Sequence, residues 1–495
     1  MKMRRLFTLI SLLLLVSVSN AQQAGSPGRA KKIPAGNDTT GYRIPVTVTP
    51  YKNCKLYLGS YYGKYKNLVD STLVNEKSSG IFQGKQKLPQ GIYFIVSPDH
   101  IILFELFMDA RQHFSIQADS SDYNNVVITG SGENTLFHEY TVFLAKKIPD
   151  VTALQEALKK AASREDSLRI NKELAHANKV ISDYRDTIIR KHPESMLALF
   201  FEAVKRPELP KIKMSQAAEV YYLKEHYWDD VYFNDPRLLH TPFFDPKLEE
   251  YYKYYVSQEP DSIIPEVNYM LLSARTNPDM FRYLLGKFTD KYINPEIMGQ
   301  DKVFIFLFNN FYARGDTAWL TPEQRKYIFD RAYSLIANQI GEPAPVLDLV
   351  DTSGAPVSLY QVSAPFTVVV FWDPNCSHCQ KEIPVMDSMY EAKWKKEGIR
   401  IFAVNVADAA VNDWKRFIVA HHLNGWIHAY QTTEQEHAEE AAKQANYRQL
   451  YDVFQTPTVY LLDSSKHIIA KRLSLEQFDR LIDAKREKSA SATKE

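Results

Sequence analysis

Cysteine is nearly absent from this chain: 495 residues contain three, Cys54, Cys376 and Cys379. So few exclude a disulfide-stapled scaffold, and the core has to come from apolar burial. Charge of one sign is lacking too, since 60 Lys and Arg against 59 Asp and Glu leave a formal net charge of +1. That balance offers no basic surplus for nucleic acid. Past the first segment no run is long and apolar enough to span a bilayer. The length predicts two to four domains, because single cores rarely grow beyond about 250–300 residues.

The first segment differs from the rest. Lys2, Arg4 and Arg5 precede an apolar stretch from Leu6 to Val18, followed by Ser19-Asn20-Ala21. A positive start, a short apolar middle and small residues before a cut make a secretory signal peptide, residues 1–21, cleaved after Ala21. The stretch is short for a permanent anchor; an uncleaved, membrane-anchored N-terminus is the alternative. No cysteine follows it to carry a lipid. The mature chain is expected in the periplasm of a Gram-negative bacterium, with no stable membrane span after cleavage.

Residues 22–40, rich in Gly, Pro, Ala and Lys, read as a disordered leader, and 486–495 as a disordered tail. From 41 to 132 short β-type runs alternate with turn signals at Gly63, Gly80, Gly91, Pro98 and Gly130. Ile92–Val96, Ile101–Phe107 and the alternating Phe114 and Ile116 are examples, and the spacing predicts an antiparallel β-sandwich-like domain. Cys54 lies in the predicted strand 54–58 as a small buried hydrophobe. From 133 to 340 the period becomes helical. Ile170, Leu174, Ala177, Ile181, Tyr184 and Ile188 share one face, Pro193 ends that helix, and Leu248, Tyr251, Tyr252 and Tyr255 share another. The tyrosines are expected to pack, and this α-helical region shows no catalytic constellation.

Gly341-Glu-Pro-Ala-Pro345 is a stiff break, placed as the last domain boundary. From 341 to 485 strands and helices alternate. Strands are predicted at 346–349, 357–359, 366–372, 399–406 and 426–430, with a hairpin at 458–462 and 467–472. Helices are predicted from Cys376, at 410–421, at 435–453 and at 475–485. This is an α/β sheet covered on both faces.

The chemistry lies in Cys376-Ser377-His378-Cys379, directly after the apolar run 366–372 and ahead of a helix. A helix N-terminus carries partial positive charge and unpaired N–H groups, which stabilise a thiolate on the first cysteine. The second cysteine lies within one turn and can close a disulfide on the first. A lone Cys-x-x-Cys is weak evidence, because zinc sites share the spacing.

With Gly341-x-x-Ala344-Pro345, Asp351-x-x-Gly354, Phe371-Trp372, Cys376-x-x-Cys379 and Thr456-Pro457 in order, residues 341–485 resemble the thioredoxin fold of TlpA/ResA-like exported thiol–disulfide oxidoreductases. The resemblance implies an exposed attacking Cys376, a buried resolving Cys379, and a cis Pro457 whose neighbour Thr456 pairs with an extended client peptide. Trp372 and His378 join Thr456 and Pro457 as expected substrate-binding residues. Glu382, three residues after Cys379, matches a glutamate of that group and is expected to handle the proton of Cys379. Val370 stands where the general thioredoxin pattern keeps an acid six residues before the first cysteine.

Client proteins with thiols or disulfides are the expected partners, together with a membrane-embedded electron donor; no organic cofactor is implied. Asn375 replaces the Trp many relatives carry before the first cysteine. His378 is expected to stabilise the Cys376 thiolate and to raise the potential above that of thioredoxin. A rival reading takes Cys376, His378 and Cys379 as soft ligands for copper or zinc delivery, completed by His421 or His422. A peroxidase needs Thr three residues before its reactive cysteine, and Asp373 stands there.

Overall fold

The computed structural model describes residues 41–492, so the expected signal peptide and leader lie outside them. The chain divides into two compact units, 41–257 with 266–284, and 258–265 with 285–492. The division falls inside the helical region, between 284 and 285, rather than at the proline-rich break at 341–345. Among the described residues no helix is long and apolar enough to cross a membrane.

The first unit opens with eight strands: β1 (Tyr42–Thr49), β2 (Cys54–Tyr62), β3 (Tyr65–Val74), β4 (Ser79–Gly84), β5 (Gly91–Val96), β6 (Ile102–Met108), β7 (Ser115–Asp119) and β8 (Val127–Thr129). They form two four-stranded sheets, ordered β4-β1-β7-β8 and β3-β2-β5-β6. Pairing is antiparallel except between β1 and β7, which run parallel, so the all-antiparallel expectation fails at that pair. Alternate residues such as Ile44, Val46, Leu56, Leu58, Tyr93 and Ile95 point into one apolar cluster fed by both sheets. Cys54 is half-buried at its margin, not enclosed as expected, because it opens β2 at the sheet end.

Helices follow: α1 (Gly132–Lys159), α2 (Arg164–Lys191), α3 (Met196–Val204), α4 (Gln216–Glu225) and α5 (Phe244–Tyr254). Ser163 caps α2 by accepting from the Asp166 N–H, and the expected face buries Ile170, Leu174, Ile181 and Ile188. The helix stops at Lys191, two residues before Pro193. On α5, Leu248, Tyr251 and Tyr252 are buried. Two more helices, α6 (Pro260–Ala274) and α7 (Pro278–Tyr292), run across the division of the chain.

The second unit adds α8 (Asp301–Asn310) and α9 (Pro322–Ile336) to an α/β domain. Its strands are β9 (Asp348–Val350), β10 (Pro356–Ser358), β11 (Phe366–Trp372), β12 (Arg400–Asn405), β13 (Ile427–Tyr430), β14 (Thr458–Asp463) and β15 (Ile468–Lys471). They form one sheet in the order β10-β9-β13-β12-β11-β14-β15. β11, β12 and β13 are parallel, and β14 and β15 close the sheet antiparallel. The helices are α10 (Ser377–Met389), α11 (Val411–Ala420), α12 (Thr433–Ala442), α13 (Tyr447–Leu450) and α14 (Leu475–Ala492).

β11 is apolar on both faces because both are covered. Val368, Val370 and Trp372 face one cluster with Ile383 and Met386 of α10, Trp414 of α11 and Phe478 of α14. Val369 and Phe371 face the other, with Tyr447, Tyr451 and Tyr460. The single helix expected at 435–453 is two helices, since Lys443 adopts a left-handed conformation that ends α12 and Asn446 caps α13 afresh. The terminal helix runs on past Lys485 to Ala492, so the tail expected from 486 begins as helix.

Candidate active site

β11 ends at Trp372, and a tight turn precedes α10. The Asp373 carboxylate accepts from the Asn375 N–H at 2.7 Å, and the Cys376 N–H donates to the Asp373 carbonyl at 3.1 Å. The turn sets Cys376 at the N-cap of α10, where first-turn N–H groups have no helical acceptor. Cys376 is half-buried; Cys379, one turn on, is fully buried in the apolar layer under α10.

β14 lies antiparallel beside β11 with Thr458 opposite Phe371. That register brings the preceding Thr456-Pro457, joined by a cis peptide, to the end of β11. The Cys376 thiol donates to the Thr456 carbonyl at 3.4 Å, across 80 residues of sequence.

The two sulfurs differ in acidity. Partial burial pushes the Cys376 thiol up. Hydrogen bonds from the Thr456 side chain, the backbone N–H groups of Cys379 and His378, and the Cys379 thiol outweigh it, leaving Cys376 below the ordinary thiol value. Burial pushes Cys379 up to about 12, against smaller opposing hydrogen bonds from the Asp373 N–H and the Thr456 side chain. Donors aimed at a sulfur favour its anion, and enclosure in apolar surroundings disfavours it.

Of the residues picked out from sequence, Cys376, Cys379, Thr456 and Pro457 come together. Three do not take the places expected. Trp372 is fully buried, its ring edge-on to Phe417 at 5.2 Å between centroids, so it supports the site from within and presents nothing to a substrate. His378 is exposed, and its backbone N–H rather than its imidazole is what reaches Cys376. Glu382 is exposed on α10 rather than buried beside Cys379 as expected. The helix turns its apolar face, Cys379, Ile383 and Met386, to the sheet and leaves Glu382 outside.

Among the described residues no group of three or more His, Cys, Asp or Glu side chains is placed to hold a metal ion. His421 instead stacks on Phe417 at 4.1 Å. Sequence reasoning passed over Phe454, which stands two residues before Thr456 and is 74% exposed. An aromatic two residues ahead of a Thr-Pro step was the available signal.

Residues 340–471 match the AhpC/TSA family, and residues 156–331 match a domain of unknown function, DUF5106. The thiol-disulfide oxidoreductase ResA of Bacillus thuringiensis (strain Al Hakam) is 32% identical over 78 residues, 15% of this chain and 44% of that protein. ResA of Geobacillus kaustophilus (strain HTA426) is 26% identical over 148 residues, 29% of this chain and 77% of that protein. This chain thus spans less than half the length of the first of these relatives. A solved domain of a possible thiol-disulfide isomerase from Cytophaga hutchinsonii is 32% identical, covering 31% of this chain and 96% of that one, with a TM-score of 0.27. A thioredoxin-like protein from Bacteroides caccae is 20% identical and covers 57% of this chain and 98% of that one, with a TM-score of 0.43.

Proposed function

We propose that this chain, whose C-terminal domain is a thioredoxin-fold domain of the TlpA/ResA-like oxidoreductases, exchanges disulfides with client proteins through Cys376 and Cys379. The observation that carries the reading is the placement of the two sulfurs, Cys376 half-exposed at the N-cap of α10 against the Thr456 carbonyl and Cys379 enclosed one turn on, which drives their acidities apart. In the reducing direction the Cys376 thiolate attacks one sulfur of a client disulfide, and the other leaves as a thiolate that takes up a proton. Cys379 then loses its proton and attacks the Cys376 sulfur. The client departs as a dithiol, two electrons richer, and the 376–379 pair is left as a disulfide. The same steps reversed oxidise a client dithiol.

Thr456 has two jobs in this scheme. Its side chain stabilises the attacking sulfur, and its backbone pairs with an extended client segment as an added strand would. Pro457 carries no N–H to compete for that segment. A stabilised Cys376 thiolate favours the reduced pair, which raises the potential relative to a pair without that stabilisation. With the imidazole outside the interaction, that effect comes from Thr456 and the backbone N–H groups.

The charged start, apolar stretch and small residues of 1–21 support export to the periplasm, with cleavage after Ala21. A membrane-embedded donor of electrons then regenerates the pair. The two-sheet region from 41 to 132 is read as a sandwich-like module that, with the following helices, docks clients or that donor. The test is reduction of a disulfide-bonded peptide in the presence of dithiothreitol. The parent accelerates it and Cys376→Ser does not; equal rates for the two would end the reading.

A further inference from the structure

The segment that delivers Thr456-Pro457 is held from outside the α/β core. The Asp452 side chain is fully enclosed between two guanidinium groups, Arg331 of α9 on Oδ1 and Arg472, just after β15, on Oδ2. Arg331 is itself fixed by the Asn294 side-chain oxygen at 2.9 Å, and its guanidinium lies 5.6 Å from the ring centre of Phe454. It therefore meets the segment at two points. Close by, Asn338 donates to the Leu450 carbonyl at 2.9 Å. Buried Lys471 bonds the Asp301 carboxylate at 2.7 Å and both oxygens of Asn338 at 2.8 Å.

Asp452 has a backbone φ of 51°, a left-handed conformation that costs a non-glycine residue energy unless its surroundings hold it. Thr456 follows four positions later, and its distance from Cys376 depends on where that segment starts. An enclosed carboxylate deprived of one of its two cations is strongly destabilised, so the grip on Asp452 fails if Arg331 is lost.

We propose that Arg331 is a positioning residue for disulfide exchange: by gripping Asp452 and Phe454 it fixes the segment that places Thr456 against Cys376. α9 is thereby a working part of the exchange site. The inference rests on the redox reading above for the role it gives Thr456.

The test compares full-length parent, Arg331→Met and Arg331→Lys. Three quantities are read: the pH profile of Cys376 alkylation by iodoacetamide resolved by mass spectrometry, the KM and kcat for a disulfide peptide, and near-UV circular dichroism as the check on folding. With Thr456 displaced, the alkylation midpoint of Arg331→Met rises by about half to one pH unit. KM rises about three- to tenfold while kcat changes less. Arg331→Lys, which keeps the charge and loses the planar fork, falls between parent and Met. A folded Arg331→Met with the parent midpoint and KM overturns the proposal. If Arg331→Met does not fold, Arg331→Lys decides, since a raised midpoint supports the proposal and an unmoved one contradicts it. A parent without peptide-reducing activity, alongside a variant whose midpoint still shifts, sinks the redox reading and leaves the positioning intact.

Discussion

Cys376 and Cys379 share the first turn of one helix and differ in acidity in opposite directions, Cys376 below the ordinary thiol value and Cys379 pushed up to about 12. Three residues of separation produce the contrast because α10 turns one sulfur toward Thr456 and first-turn N–H groups, and the other into the apolar layer over β11. An attacking group needs to be ionised, and a resolving group needs to wait until the mixed disulfide has formed.

The contrast is measurable as reactivity. In the reduced protein, Cys376 alkylates with a midpoint below that of a free thiol, and Cys379 with one well above it. Mass-resolved alkylation across pH checks both. Replacing Thr456 with Val removes its hydroxyl and shifts the Cys376 midpoint upward.

Stability follows from the same difference. Cys379 has a higher pKa folded than unfolded, so its neutral thiol contributes stability that is complete below the unfolded value. That contribution falls as pH rises from the ordinary thiol range toward 12, by at most about 1.4 kcal/mol per pH unit. Denaturant unfolding of reduced parent and Cys379→Ala should show the gap between them narrowing over that window and flat below it.

Glu382 is exposed, and Glu382→Gln is expected to change the exchange rate by less than about threefold, the scale of removing a solvated surface charge rather than a proton relay. Stopped-flow reduction of a disulfide peptide measures it. A hundredfold loss would return Glu382 to the proton pathway.

Much of the α/β domain was legible in the sequence because its signals are local. The apolar run 366–372, the cysteine pair at a helix start and the Thr-Pro step each announce themselves within a few residues, and the register of β14 on β11 then joins them. The grip of Arg331 on Asp452 was not legible, since 121 residues separate them and neither lies in a motif. The parallel pairing of β1 with β7 was hidden for the same reason: alternation of apolar residues reports a buried face and says nothing of a partner's direction. Glu382 and Trp372 were misplaced because a motif supplies position along the chain, while the helix face and the sheet layer decide exposure.

Lys471 and Asp301 test the link between α8 and β15. Both are buried and paired at 2.7 Å, so Lys471→Met leaves the Asp301 carboxylate enclosed without its cation. The expected loss is about 3–5 kcal/mol in the unfolding transition of the second unit, and Lys471→Met with Asp301→Leu recovers much of it. Equal stability of parent and Lys471→Met by denaturant unfolding would mean that the pair does not close in solution.

The division of labour between the two sulfurs is tested most directly by trapping. Full-length Cys379→Ser, mixed with a disulfide peptide, should accumulate a peptide joined covalently to Cys376, and intact-mass spectrometry should find it released by dithiothreitol. Cys376→Ser should accumulate none. A conjugate that forms on Cys379 in the Cys376→Ser protein as readily as on Cys376 in the other would contradict the account.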